Sequence, residues 1–538
     1  MTARKGRLAL AACFIFLSAD AMGQDAAAPA GRPAGRLFSR IMRDRSVQRT
    51  QAVPDASVPP PRAVQDSTPG TFPETPEAST PGFTATPGSG SGTSPTDSST
   101  ASNTDLSLPR AEREGGGGEP TTGDQAGEEA AEPSKDETKL LMDLLGIPDS
   151  PVKVYGWIQN SYTGNTNGMP KNGTNFGVNP NFKANSWMGN QYYLVVENPL
   201  EQSDEINFGF RADNLWGNDW QFNHMAGFAD RAFNLNSFQG YDLAQAYAEV
   251  HIPDNVFGTK GLDIKGGRFY TLAGYEVVPA TGRPLLSVPY MFNYGQPFTH
   301  FGMVSTWHVN DRLNIYNGAI NGWDRWINEN YKWGYIGGFT YNFKDEKTNI
   351  SFISIWGPNQ FPRQLPNNTQ IFPTGYINIP SLAGAKNNGY ASNDRLLFTT
   401  VITHKWSDKL TQVIETDQGF EQNVPGAASP VVNGVVQNGA SQSAGWYSFG
   451  NWFLYKFNKD NDKLMGVWRS EIFRDNNGVR TGFATNFSEF TLGLIYKPKP
   501  YVWVRPEARY DFARSGNPYS DGTRNSQFTL GFDVIFLF

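Results

Sequence analysis

The last thirteen residues of the chain, 526–538, alternate between apolar and polar side chains. One parity carries Phe528, Leu530, Phe532, Val534, Phe536 and Phe538, and the other begins with Gln527, Thr529, Gly531 and Asp533. Successive side chains of a β-strand point to opposite faces, so this pattern predicts a strand with one continuous apolar face. A strand that crosses a membrane as part of a barrel has this length and alternation. Strands in the core of a β-sandwich show the same alternation, so the segments upstream must distinguish a barrel from a sandwich.

The same two-faced pattern recurs from residue 152 to the end of the chain. In 501–512 four charged residues fall on one parity, which a dry core would not accommodate. We predict an all-β, transmembrane antiparallel barrel of about sixteen strands (about 14–18). The predicted strands are 154–162, 190–198, 205–214, 242–252, 262–270, 299–308, 312–321, 333–343, 348–357, 395–405, 409–418, 445–456, 463–473, 487–497, 501–512 and 526–538.

The connections between these strands alternate in length. Short, mostly charged ones such as 309–311, 406–408 and 498–500 separate long ones, which are 163–189, 215–241, 271–298, 358–394 and 419–444. Outer-membrane barrels have tight periplasmic turns and long outer loops. An even number of strands also returns both termini to the periplasmic side, so the pattern favours such a barrel over a sandwich or a propeller.

The region before the barrel divides into three parts. Residues 1–23 have the basic start, apolar run and small-residue end of a secretory signal peptide; a lipoprotein cleavage site at Cys13 is the alternative. Residues 24–135 are rich in Pro, Ser, Gly and Ala, which predicts a disordered periplasmic tether whose partner is unknown. Its basic stretch, 36–49, is either merely solvated or a contact for an acidic polymer or lipid. Residues 136–148 predict a short amphipathic helix that plugs the barrel or packs at its edge.

Composition and motifs exclude several classes of function. Cys13 is the only cysteine, so a cleaved chain has no disulfide, no thiol nucleophile and no Cys-bound zinc. A net charge of −6 argues against a nucleic-acid binder. The five histidines have no metal-site spacing, and no hydrolase, P-loop or dinucleotide motif is present. We therefore predict no catalytic residue, no metal and no cofactor, and the chain is not expected to be an enzyme.

Several blocks of sequence resemble a known family. Residues 265–304 read KGGRFYTLAGYEVVPATGRPLLSVPYMFNYGQPFTHFGMV, and further similar blocks are 321–324, 469–482 and 505–511. These blocks resemble the OmpL-like beta-barrel porins, beta-barrel porin family two, over about residues 152–538. The resemblance implies an outer-membrane pore, and it does not supply a set of functional residues.

Three groups of residues are candidates for function. Charged residues on the non-apolar parity are expected to line the pore; they are Arg211, Asp213, Arg469, Glu471, Arg505, Glu507, Arg509 and Asp511. By analogy with sixteen-stranded porins, the 271–298 connection is expected to fold inward as a constriction loop through Tyr275, Glu276, Arg283, Tyr290 and Tyr294. The alternatives are wall salt bridges that only stiffen the barrel and an outer loop that packs on itself. Phe536 and Phe538 are expected to mark the C-terminal strand for the barrel-assembly machinery.

The sequence thus predicts an outer-membrane porin for passive diffusion of small hydrophilic solutes or ions. Its expected partners are outer-membrane lipid, those solutes and further copies of the chain as a homotrimer, with no nucleic acid. One alternative is a secreted, aromatic-rich glycan-binding β-protein, which would need the apolar parity buried in a core. The other is a plugged barrel that serves as a surface adhesin or enzyme.

Overall fold

The computed structural model describes residues 139–538 apart from eleven short stretches. The exceptions are 148–149, 226–227, 229–237, 254–257, 327–331, 358–393, 426–430, 433–434, 437–440, 460 and 479. The predicted signal peptide, the predicted tether with its basic stretch and most of the predicted 358–394 connection lie outside the described residues.

Sixteen strands close into one antiparallel barrel in which each strand pairs with its neighbours in sequence, and the first pairs with the last. They are β1 (Lys153–Asn165), β2 (Ser186–Asn198), β3 (Asn207–Gly217), β4 (Gly240–Ile252), β5 (Gly261–Tyr270), β6 (Thr299–Asn310), β7 (Leu313–Ile320), β8 (Gly334–Asn342), β9 (Thr348–Gly357), β10 (Arg395–Lys405), β11 (Leu410–Pro425), β14 (Ser441–Lys456), β15 (Leu464–Asp475), β16 (Asn486–Lys499), β17 (Val502–Ala513) and β18 (Ser526–Leu537). A separate hairpin joins β12 (Val431–Val432) to β13 (Val435–Val436). The predicted sixteen-stranded antiparallel barrel is confirmed.

The two faces of the wall differ as the alternation predicts. In β16 the side chains of Phe490, Leu492 and Leu494 are exposed, whereas Glu489 and Thr491 on the other parity are buried. In β18 the aromatic parity is again the exposed one, with Phe528 and Phe536 on the outer face. A soluble β-protein would bury this parity in a core, so the secreted glycan-binding alternative is wrong. The outer surface is apolar because lipid is its solvent.

Two of the predicted long connections are shorter than expected because the strands around them are longer. β1 continues to Asn165 and β2 begins at Ser186, within the predicted connection 163–189. β11 continues to Pro425 and β14 begins at Ser441, so both ends of the predicted connection 419–444 belong to strands. Apolar alternation marks a strand only where one of its faces meets lipid, and it fades where the wall rises beyond the bilayer.

Two short helices flank the wall. α1 (Lys139–Leu145) lies within the predicted range 136–148, and its Met142 side chain is buried beside Val154 at the start of β1. Leu144 is 82% exposed, so the C-terminal end of α1 is not buried in the barrel. α2 (Trp220–Asn223) is buried and lies in the connection that follows β3. None of the described helices is long and apolar enough to cross a bilayer.

The outward position of Leu492, in the middle of β16, gives a direct test of the barrel orientation. Leu492→Arg places a charge in lipid and is expected to destabilise the barrel by about 2–4 kcal/mol. The control is Asp408→Arg in the short connection between β10 and β11, where the new charge remains in water. Reversible unfolding in lipid vesicles measures both variants, and equal stabilities would contradict the outward assignment of this parity.

Candidate functional site

The interior of the barrel carries a set of buried charges. All eight residues predicted to line the pore lie on the inward face, and each is less than 8% exposed. They form ion pairs along and between strands. Arg211 contacts Glu197 at 2.9 Å and Asp213 at 2.8 Å, and Arg509 contacts Asp511 at 2.9 Å. Their low exposure means that other protein groups, rather than open water, cover most of these side chains.

The group that covers many of them is the connection between β5 and β6, residues 271–298, which we call the inner loop. All but two of its residues are buried, although it has few backbone pairs of its own. It contains a 3₁₀ turn (Ala280–Gly282) and one π-helical turn (Met291–Gly295). The inner loop therefore lies inside the barrel and does not pack on itself outside it.

Arginines of the wall hold the main chain of the inner loop by its carbonyl groups. Arg505 donates to the carbonyl oxygens of Ala280 at 2.9 Å and Arg283 at 2.5 Å. Arg469 donates to the carbonyl of Ser287 at 2.6 Å, and Arg509 donates to that of Val288 at 2.7 Å. Charge-assisted bonds of this kind are roughly twice as strong as neutral ones.

Carboxylates of the wall hold the same segment by its N–H groups. Glu507 accepts from the backbone N–H of Ser287 at 3.0 Å. Glu471 accepts from those of Tyr290 at 2.6 Å and Met291 at 2.5 Å. The alternating positive and negative positions of β15 and β17 thus match the alternating acceptors and donors of one main chain.

The five residues proposed for the constriction are all buried within this arrangement. Tyr275 packs edge-on against Trp452 at 5.3 Å, and Glu276 accepts from the Trp452 indole at 3.0 Å. Tyr290 stacks on Phe487 at 4.9 Å and hydrogen-bonds the Tyr519 hydroxyl, and Tyr294 lies next to it. These aromatic rings fill the space between the inner loop and the wall.

Arg283, the fifth of these residues, reaches the opposite side of the interior. Its guanidinium lies 3.5 Å from a carboxylate oxygen of Asp219, which immediately precedes α2. Burial raises the pKa of Asp219, and the charge of Arg283 opposes that shift. The inner loop therefore bridges the β15–β17 wall and the connection that follows β3.

The C-terminal residues complete the barrel. The backbone N–H and carbonyl of Phe538 exchange two bonds of 2.9 Å with Gly156 of β1, and Phe536 is exposed on the outer face. A side chain at Gly156 would overlap the carbonyl oxygen of Tyr193, so only glycine fits beside this closing strand.

The residues from 151 to 538 match the family described as Putative beta-barrel porin-2, OmpL-like. The chain belongs to this porin family. The match spans the whole barrel, including the inner loop, and it makes the chain an outer-membrane porin.

The chain is also similar to several solved structures, at low sequence identity. The outer-membrane channel DcaP of Acinetobacter baumannii is 9% identical over 72% of this chain and 97% of its own, with a TM-score of 0.45. The anion-selective porin from Comamonas acidovorans is 9% identical over 72% and 99%, with a TM-score of 0.46, and OprB of Pseudomonas putida is 10% identical over 72% and 94%, with a TM-score of 0.45. A search of the curated proteins finds no match.

Several interior residues of this porin were not among the predicted ones. Arg268 pairs with Asp242 at 2.7 Å, Arg395 with Glu421 at 2.9 Å, and Arg505 with Asp533 at 2.5 Å. Asp533 lies on the polar parity of the C-terminal strand, so the pattern could have identified it. Arg268 follows Gly267, whose φ of +137° interrupts the alternation, and the phase of Arg268 is ambiguous from sequence for that reason.

The histidines have structural partners. His300 is fully buried and bonds the carbonyl of Gly322 and the hydroxyl of Thr271, each at 3.0 Å. His251 and His308 both contact Asp263, at 2.5 Å and 2.8 Å. In the described part of the chain no three His, Cys, Asp or Glu residues form a metal-binding cluster.

Substitution of two arginines distinguishes the effect of a lost wall ion pair from the effect of a lost contact with the inner loop. Arg509→Ala and Arg211→Ala each break a buried ion pair, which costs on the order of 3–5 kcal/mol. Only Arg509 also binds the inner loop. We expect both variants to lose stability, and only Arg509→Ala to show a larger and noisier unitary current in planar bilayers. Identical currents in the two variants would contradict the role of Arg509 as an anchor of the loop.

Proposed function

We propose that this outer-membrane porin passes small hydrophilic solutes or ions by passive diffusion through a polar lumen that the inner loop narrows. The observation that carries the proposal is the contrast between an apolar outer face and a charged inner face within one closed barrel. Such a wall separates lipid from a hydrophilic passage without any moving part. The solute gradient supplies the driving force, so no cofactor or covalent step is required.

Selectivity in this proposal has two sources. The inner loop reduces the cross-section with tyrosine rings, among them Tyr275, which packs against Trp452 of β14. The wall charges orient polar solutes, although ion pairs of the wall, such as Arg505 with Asp533, neutralise part of that field. Size and hydrogen bonding are therefore expected to select solutes more strongly than net charge does.

The remaining expectations are also proposals. The N-terminal tether extends into the periplasm, because the short connections and the start of β1 share one end of the barrel. The C-terminal strand with Phe536 and Phe538 presents its apolar parity to the assembly machinery during insertion. The homotrimer stays a prediction from the size of the barrel.

A second candidate, a plugged barrel that acts at the cell surface, is favoured by one specific observation. Glu276, Tyr290 and Tyr294 at the barrel interior are at most 3% exposed, as expected for a well-filled lumen. In that case a folded barrel would carry no current. A conductance measurement therefore distinguishes the open pore from the plugged barrel.

Conductance of the purified full-length protein in a planar bilayer tests the proposal. We expect discrete current steps, which heat-denatured protein must not give. Tyr275→Ala removes a ring from the inner loop and is expected to increase the unitary conductance. Tyr510→Ala removes an outward ring and is the matched control, with no expected change. A folded, heat-modifiable barrel without current would contradict diffusion and favour the plugged barrel.

A further inference from the structure

Two inward carboxylates on β11 are buried side by side without a counter-charge. Asp213, Asp511 and Asp533 each pair with an arginine, whereas Glu471 and Glu507 accept from backbone N–H groups of the inner loop. Glu415 and Asp417 are 1% and 0% exposed, and no lysine, arginine or histidine of the described chain forms an ion pair with either. Two buried negative charges side by side without a cation are costly.

The groups that do contact these carboxylates are neutral. The Gln296 side-chain amide donates to Glu415 at 2.5 Å and to Asp417 at 2.8 Å. The backbone N–H of Tyr275 donates to the other oxygen of Glu415 at 3.1 Å. The second oxygen of Asp417, Oδ1, has no partner. Hydrogen bonds from an amide and one N–H compensate only part of the charge.

Two hydroxyl groups lie beside Asp417. Thr399 on β10 and Ser448 on β14 are the direct cross-strand neighbours of Asp417, on the same inward face. They are 1% and 6% exposed; both hydroxyls are near enough to interact with the Asp417 carboxylate, and neither has a hydrogen bond within 3.5 Å. Cross-strand neighbours lie about 4.5–5.5 Å apart at their Cα atoms. Three buried oxygens with free lone pairs, one from each of three adjacent strands, therefore surround one position.

The Gln296 amide completes a set of oxygen donors. Its Oε1 atom is buried without a partner, while its Nε2 atom faces both carboxylates. The oxygen and nitrogen of such an amide exchange places when the group turns over. Turned over, Oε1 lies among the carboxylate oxygens, an arrangement that a cation bound between them would stabilise.

We propose that Glu415, Asp417, Thr399, Ser448 and Gln296 bind one divalent cation of the calcium type. Calcium takes 6–8 oxygen ligands in flexible geometry, which suits two carboxylates, two hydroxyls and an amide carbonyl. Magnesium needs a stricter octahedron and keeps several waters, so it fits this crowded position less well. Because Gln296 belongs to the inner loop, the ion fastens the loop to β11 on the side opposite Asp219. The proposal is independent of whether the barrel conducts.

The test uses the full-length chain, refolded in detergent without lipopolysaccharide, treated with EDTA and then desalted. Terbium is the probe, since it occupies calcium sites and is sensitised by a nearby indole. Trp446 donates to the carbonyl of Gly295, the residue before Gln296, so its ring lies close to the site. We expect saturable terbium luminescence with one ion per chain, displaced by calcium, and the same stoichiometry by calorimetry with calcium.

Substitutions locate the ion. Asp417→Asn and Glu415→Gln are each expected to weaken calcium binding by about tenfold or more, since each removes a charged ligand. Glu507→Gln is the control, because Glu507 is an inward carboxylate that also holds the inner loop. Heat-modifiable migration verifies that each variant is folded. Should the charge variants fail to fold, Thr399→Val and Ser448→Ala leave the charge unchanged and are expected to weaken binding severalfold.

Three results would overturn the proposal. The first is a folded wild-type barrel that binds neither terbium nor calcium saturably. The second is undiminished binding in the Asp417 and Glu415 variants, or in both hydroxyl variants. The third is an equal loss of binding in Glu507→Gln, which would show that binding responds to any lost inner-loop contact and is not specific to the proposed ligands.

Discussion

The inner loop can lie inside the barrel only because the wall satisfies its main chain. A segment without regular secondary structure has backbone donors and acceptors that need partners once water is excluded. Arg469, Arg505 and Arg509 supply donors to its carbonyls, and Glu471 and Glu507 supply acceptors for its N–H groups. Acidic neighbours such as Asp511 and Asp533 hold the arginines in turn. The interior charges thus hold the main chain of the inner loop, and any passage for solutes lies beside that loop.

Small residues of the wall provide the room that this contact requires. Gly493 faces inward on β16, and a side chain there would lie 2.4 Å from the Leu285 side chain of the inner loop. Gly531 on β18 similarly leaves space beside Leu286. Glycine within a strand marks a place where another segment approaches closely. Packing of the two leucines against these positions adds apolar contacts to the charged ones.

The sequence pattern predicted the strands, and it predicted fewer of the contacts in the barrel interior. Alternation along a strand is a local pattern, which is why segments such as 501–512 and 526–538 appear where they were expected. The charged parity of 501–512 also identified Arg505, Glu507 and Arg509 as inward residues. Which groups they contact depends on residues more than 200 positions away in the chain, for example Val288 for Arg509, and no local pattern records such a contact.

Other interior residues were missed for identifiable reasons. Glu415 and Asp417 stand on the inward parity of the predicted strand 409–418, but their lack of a counter-charge is visible only once β10, β14 and the inner loop surround them. Arg268 was obscured by the backbone irregularity at Gly267. The outer ends of β11 and β14 were missed because they extend beyond the apolar band.

Hydrogen–deuterium exchange of the folded full-length protein tests most directly whether the wall holds the inner loop. The backbone amides of Ser287, Tyr290 and Met291 donate to buried wall carboxylates, so peptides covering 285–293 should exchange as slowly as those from β15 and β17. Exchange as fast as that of an exposed turn such as 343–347 would show that the loop is not docked. The wall charges would then have no role in positioning the inner loop.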